Sequence, residues 1–152
     1  LTGNDDIWKF DIRNGSAERV TDADEIDVTP DWAPDGQSIA FASGRGGAIS
    51  IWTIPASGGK RLRINDGGYA PRFSPDSKSI LYWNRGAVWM MDTQGDNVRQ
   101  ASSDLYGPLK PPVDRLAWPG FDVLKDGRLL LAPIEIRETS LWAIDLTYRE
   151  NR

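Results

Sequence analysis

The chain contains neither cysteine nor histidine. The first absence removes disulfides, thiolate nucleophiles and every cysteine-ligated zinc or iron–sulfur site, and leaves the compartment open. The second removes the imidazole relay of Ser-His-Asp and Cys-His enzymes, histidine-ligated zinc, and the one side chain whose ordinary pKa lies near neutrality. Conventional hydrolysis is therefore not expected: no catalytic residue is assigned, and no cofactor or metal. No run approaches the roughly 18 consecutive apolar residues of a membrane span, and no charged-then-apolar leader opens the chain, so membrane insertion is not expected. A large excess of one charge is lacking too. Lys and Arg number 18 against 22 Asp and Glu, a net charge of −4, which argues against a nucleic-acid or anionic-membrane surface. The opening Leu1-Thr2-Gly3, without Met, is expected of a remnant of a longer polypeptide.

Repetition is what the chain has in quantity. Pro30-Asp31-Trp32-Ala33-Pro34-Asp35-Gly36 returns as Pro71-Arg72-Phe73-Ser74-Pro75-Asp76-Ser77, and Pro30, Pro34 and Ile39 are each 41 positions from Pro71, Pro75 and Ile80. A repeat of this length marks a blade architecture. Each copy runs on into an alternating strand, Ser38 to Ala42 or Ser79 to Trp83. A Trp-centred strand follows, and four such strands align: Ile7-Trp8, Ile51-Trp52, Val88-Trp89 and Leu141-Trp142. Small turns such as Arg13-Asn14-Gly15 and Ser57-Gly58-Gly59 supply positive φ for a hairpin return. The short basic segments behind them, such as Lys60-Arg61-Leu62-Arg63-Ile64, suit outer edges. Pro34-Asp35 and Pro75-Asp76 open type I turns between first and second strands. Near the end the pattern weakens, and Gly120 to Val123 is expected to serve as the first strand before Lys125-Asp126-Gly127.

The expected architecture is all-β: a β-propeller segment of about three four-stranded antiparallel blades, over residues 1–23 (partial), 24–65, 66–104 and 105–152. The count comes to about thirteen strands, short of the roughly sixteen that the smallest closed propeller needs. The segment is therefore open unless missing blades of the same polypeptide, or a second chain in a homodimer, complete the ring.

The string Pro-x-Trp/Phe-Ala/Ser-Pro-Asp-Gly/Ser, followed by Ile-Ala-Phe-x-Ser-x-Arg and Ile-Trp-x-x-x-x-x-Gly-Gly, resembles the Pro-Asp, WD40-like repeat of TolB-like propellers. Residues 28–65 match closely and 69–101 fairly well. Departures are Ser77 for the turn Gly, Pro55 for the strand-ending Asp, and the missing Ser-Pro before Asp126, which leaves the last blade's register open. The resemblance implies a protein-binding platform in the bacterial periplasm, a module beside a peptidase domain, or an extracytoplasmic sensor.

Three other features invite a chemical reading. The acidic run Asp22 to Asp27, with Asn4-Asp5-Asp6 near it, has carboxylates enough for a hard cation but not the spacing of an EF-hand loop, and is read as a solvated connection. Ser43-Gly44-Arg45-Gly46-Gly47 resembles a phosphate cradle, yet no helix follows to supply a dipole. Trp8, Trp52, Trp89 and Trp142 share one strand position and are expected to pack between blades. The remaining candidate is the rim of the channel, where fourth-to-first and second-to-third loops meet. Arg45, Tyr69, Arg72, Trp83, Asn84, Arg85, Tyr106 and Lys110 fall there, a mixture of cations and aromatics common at binding hot spots. The functional expectation is a non-enzymatic scaffold that binds a protein or peptide at this rim; the alternatives are a propeller module of a larger peptidase or lyase, and a ligand sensor.

Overall fold

Apolar residues at every second position, broken by Gly and Pro-Asp turns, leave the chain no helical face to bury, and the described residues contain only strands. The computed structural model describes residues 5–45, 48–102, 120–132 and 142–144. Within them lie thirteen strands in four antiparallel sheets. A two-stranded sheet holds β1 (Trp8–Phe10) and β2 (Ala17–Arg19). The next holds β3 (Ile26–Trp32), β4 (Ser38–Arg45), β5 (Ala48–Pro55) and β6 (Leu62–Asp66) in sequential order. The third repeats that order with β7 (Tyr69–Phe73), β8 (Ser79–Asn84), β9 (Ala87–Asp92) and β10 (Arg99–Gln100). The last holds β11 (Gly120–Val123), β12 (Leu129–Ala132) and β13 (Trp142–Ile144). Gly120 to Val123 does act as a first strand, pairing with β12. This is a propeller segment with open ends.

The Pro-Asp turn is held by its own side chain. Gly36 N–H donates to Ala33 O at 2.8 Å, while Asp35 Oδ1 accepts from Gln37 N–H at 2.9 Å. Asp76 and Asp126 take the same role toward Lys78 N–H and Arg128 N–H. An Asp at this position therefore satisfies a backbone donor that the turn would otherwise leave open. Ser77 adopts φ 60° where its counterpart is Gly36, and its Oγ accepts from Asp35 N–H at 3.1 Å, linking one blade's turn to the next. The third turn is a residue shorter: Leu124 N–H bonds Arg128 O, whereas Ser74 N–H bonds Ser79 O. The last blade's register follows from this. Leu129 pairs with Val123 as Ile80 pairs with Phe73.

The first strands β3 and β7 carry the same irregularity, whereas β11 pairs with β12 without one. Thr29 and Pro30 together oppose Phe41 between the pairs Val28–Ala42 and Asp31–Ala40; Ala70 and Pro71 together oppose Tyr82. The bulged residues Thr29 and Ala70 lie at φ 52° and 49°, an uncommon region for any non-glycine residue and an outlier for a β-branched one. Proline, which has no N–H to lend a ladder, is tolerated at such a place. An inserted residue reverses the in–out alternation beyond it. Asp31 thereby joins the face of Val28 and turns toward the following blade.

Three apolar clusters fill the seams. Ile7, Ile39, Phe41 and Ile54 join the first and second sheets, with Trp52 against them. Ala40, Ala42, Ile51, Phe73, Ile80, Tyr82 and Met91 join the second and third, with Trp89 against them. Leu81, Trp83, Val88, Phe121 and Leu129 join the third and fourth. In the Ile-Trp and Val-Trp pairs the two residues thus divide between seams: Ile51 faces the following blade and Trp52 the preceding one. The interblade role expected of Trp52 and Trp89 is found. Trp8 differs, being 58% exposed beside Phe10 at 62%, because no sheet precedes its own among the described residues. Trp32 is 47% exposed while its repeat partner Phe73 is 5% exposed, because the sheet before Trp32 has only two strands. The Trp142 side chain lies outside what the structure describes.

Candidate functional site

Arg45 closes β4 opposite Ala48, and Asn84 closes β8 opposite Ala87. Both therefore sit at the end of their sheets where the chain also enters β7 at Tyr69. Arg85 and Gly86 make the two-residue connection from β8 to β9, at φ 49° and 85°, the left-handed pair that a type I′ hairpin requires. Asparagine or glycine is the usual first residue of such a turn, so an exposed arginine is held there against its own preference. Below it, Trp89 Nε1 donates to Asn84 O at 3.1 Å. Gly67 and Gly68 enter β7 at φ 89° and 95°, and a Cβ on Gly68 would stand 2.5 Å from Tyr82 Cδ2. Asn65 donates to Gly67 O at 3.0 Å and closes that loop. Tyr69, Asn84 and Arg85 thus stand together at one end of the third sheet.

Arg72 is not at the rim. It lies inside β7, half-buried, with Nη1 donating to Pro71 O at 2.7 Å and its guanidinium 5.9 Å from the centroid of Phe121. Among the described residues it makes no salt bridge. Trp83 pairs with Tyr69 across the strands but is only 4% exposed and belongs to the seam with β11 and β12. Trp83 therefore supports the rim from beneath and does not present a face to a partner. Tyr106 and Lys110 lie outside the described residues.

Along the channel wall, the residue four before each turn Asp is Asp31, Arg72 or Asp122. Asp31 Oδ2 accepts from Phe73 N–H at 2.7 Å. Burial, the larger influence, raises the Asp31 carboxyl above its usual range, against the bond from Phe73 and the charge of Arg72. An arginine cannot accept, and in the next seam Val123 N–H is satisfied instead by Asp122 Oδ1 at 2.8 Å. Repeat arithmetic aligns positions 31, 72 and 122; that Asp31 is a strap while Arg72 lies over Phe121 follows only from the folded geometry.

A cavity of about 710 Å³ lies at the other end of the third and fourth sheets, bordered by Ser74, Pro75, Asp76 and Gly127 of the turns and by Arg99 and Gln100 of β10. It is separate from the rim. The spacing of Arg99 and Gln100 in a short edge strand carries no sign of it.

The fold defines the class: an all-β propeller segment with a structured rim at one end. Residues 1–109 match the family model of the TolB beta propeller domain, and the chain belongs to that family. An uncharacterized protein of Agrobacterium fabrum is 32% identical over 117 residues, covering 67% of this chain and 40% of the relative. The uncharacterized peptidase YuxL of Bacillus subtilis is 33% identical over 79 residues, 49% of this chain and 12% of that protein. TolB from Acinetobacter baumannii superposes with a TM-score of 0.69 at 20% identity, over 91% of this chain and 35% of that one. The chain thus spans well under half the length of these relatives.

Proposed function

We propose that this chain is part of a non-enzymatic, extracytoplasmic propeller scaffold that binds a protein or peptide through the rim formed by Arg45, Tyr69, Asn84 and Arg85, with Arg72 reached from the channel side. The observation that carries the reading is Arg85: an exposed cation held in a left-handed turn position where a smaller residue would be less strained. Loops on a rigid scaffold are where binding residues concentrate, and arginine beside tyrosine is the composition of hot spots. Peptides selected on the chain from a random library provide the test. Their affinity should fall at least tenfold in the Arg45→Ala/Arg85→Ala double variant and stay unchanged in Lys78→Ala at the opposite end. Selected peptides indifferent to the double variant would remove the rim from consideration.

A second reading, a propeller module beside a catalytic domain, is favoured by the likeness to YuxL, a peptidase of which this chain covers a small part. In that case the rim faces the catalytic domain, and the library would yield few binders to the chain joined to that domain.

A further inference from the structure

The cavity between the third and fourth sheets, about 710 Å³, falls within the ~300–1,000 Å³ of small-molecule sites. Its floor follows from strand register. Leu81 opposes Met90, and Met90 opposes Arg99, so the three side chains stand in one row on the face that packs toward β11 and β12. Val123 of β11 and Gly127 of the turn behind it border the other side.

The repeat explains why this seam is open. Leu62 opposes Thr53, the residue after Trp52, as Arg99 opposes Met90, the residue after Trp89. Arg99 therefore takes the place of Leu62, and Ala101, two residues on, takes the place of Ile64. Ile64 is 7% exposed and fills the seam between the second and third sheets, where the turn at Gly95 closes on its carbonyl. In the next seam a methyl group stands where that aliphatic side chain stood, and a cation has replaced the leucine.

The polar groups around the opening differ in what they have left to offer. Asp76 Oδ1 accepts from the Ser74 hydroxyl at 2.6 Å and from Lys78 N–H at 3.1 Å. Gln100 Nε2 donates to Ser102 O at 2.6 Å, and its Oε1 has no partner among the described residues. Arg99 is exposed and, among the described residues, makes no salt bridge.

We propose that this cavity binds an apolar monocarboxylate, with the carboxylate on the Arg99 guanidinium and the aliphatic body on Leu81, Met90 and Val123. The planar fork of arginine matches a carboxylate or a phosphate. Asp76, a carboxylate on the same lining, repels the second charge of a phosphate monoester and so favours the singly charged group. Such a ligand is either the C-terminal aliphatic residue of a peptide or a free short-chain acid. Gln100 Oε1 offers an acceptor for the amide N–H that only the peptide end carries.

The test is titration of the isotope-labelled chain with N-acetyl-L-leucine, followed through backbone amide shifts. A millimolar dissociation constant is expected for a ligand of about a dozen heavy atoms, with the amides of Ala101, Ser102 and Gly127 moving. N-acetyl-L-leucinamide, which lacks the charge, should bind roughly tenfold more weakly, and Arg99→Gln, an exposed substitution that leaves the core intact, should lose the acid by a similar factor. Ala101→Leu restores the bulk that Ile64 has in the preceding seam and should abolish binding. Tighter binding of N-acetyl-L-leucine than of isocaproate supports the peptide end as the source, and equal binding supports the free acid. The site is overturned if acid and amide bind alike, if Arg99→Gln binds as the parent does, or if these amides stay still at tens of millimolar acid. Neither result bears on peptide binding at the rim.

Discussion

Phe73 N–H donates to Asp31 Oδ2 at 2.7 Å, a bond between residues of different sheets that joins the second blade to the third at the channel wall. The bulge at Thr29 and Pro30 turns Asp31 forward, and Phe73 N–H lies on the open edge of β7, whose one ladder neighbour is β8.

This bond makes a prediction of opposite sign for two substitutions. Burial raises the Asp31 carboxyl above its usual range, so the folded chain holds this proton more firmly than the unfolded one. Stability is then lost as pH rises from the usual carboxylate range through the raised folded value. Asp31→Asn keeps an acceptor without a charge and should match or exceed the parent at pH 7, with the difference shrinking at pH 4. Asp31→Ala leaves the donor unmet and should cost about 1–3 kcal/mol. Urea unfolding at the two pH values decides between them.

The turn aspartates titrate the other way. A hydrogen bond from the Ser74 hydroxyl, then one from Lys78 N–H, holds the Asp76 carboxyl below its usual range, and Arg128 N–H does the same for Asp126. Their contribution is present above the unfolded carboxylate pKa and fades as pH falls through the lower folded value. Asp76→Asn should therefore flatten the acid limb of the stability curve, as read by circular dichroism between pH 2 and 5.

Trp52→Ala and Trp8→Ala should separate sharply although the two residues share a repeat position. Trp52 packs in a seam under Arg61, and its truncation should cost roughly 3 kcal/mol, the low end for large aromatic truncations. Trp8, 58% exposed, should change stability by about 0.5 kcal/mol or less. Equal effects in chemical denaturation would contradict the seam assignment.

Gly95 sits in the β9–β10 turn at φ 91°, where an added Cβ would collide with Ile64 O of the neighbouring sheet. Gly95→Ala should lower stability by roughly 1–3 kcal/mol. Gly58→Ala, with open space around it, carries only the conformational part and should cost less. Thermal melts of the two variants side by side measure the interblade contact.

Arg85→Asn should stabilise and disable at once. Asn-Gly is the preferred type I′ pair, so the turn should gain a few tenths of a kcal/mol, about 0.5 at most, while peptides selected on the parent lose affinity. Unchanged affinity would assign Arg85 to the turn alone.

Much of this was legible in the residues. The separation of Pro30 from Pro71 announced blades, the Ile-Trp strands announced third strands, and Asp126-Gly127 located a degenerate hairpin. The place of Trp83 beside Asn84 at a strand end says nothing of the sheet that covers it, and its burial depends on Phe121 and Leu129, far along the chain. Arg72 departs from the expected rim for a similar reason. Strand alternation gives its face, and the bulge at Ala70 and Pro71 changes that face.

By itself the sequence determined the period, the strand order and the turn chemistry, because these depend on neighbours a few positions away: proline presetting φ, Asp accepting from the next N–H, apolar residues alternating. Only the tertiary structure decided which of Asp31, Arg72 and Asp122 became a strap, and why Trp52 is covered and Trp8 is bare. Those outcomes rest on bulges that reverse alternation and on which sheet stands next to which, and neither is written in any single stretch of chain.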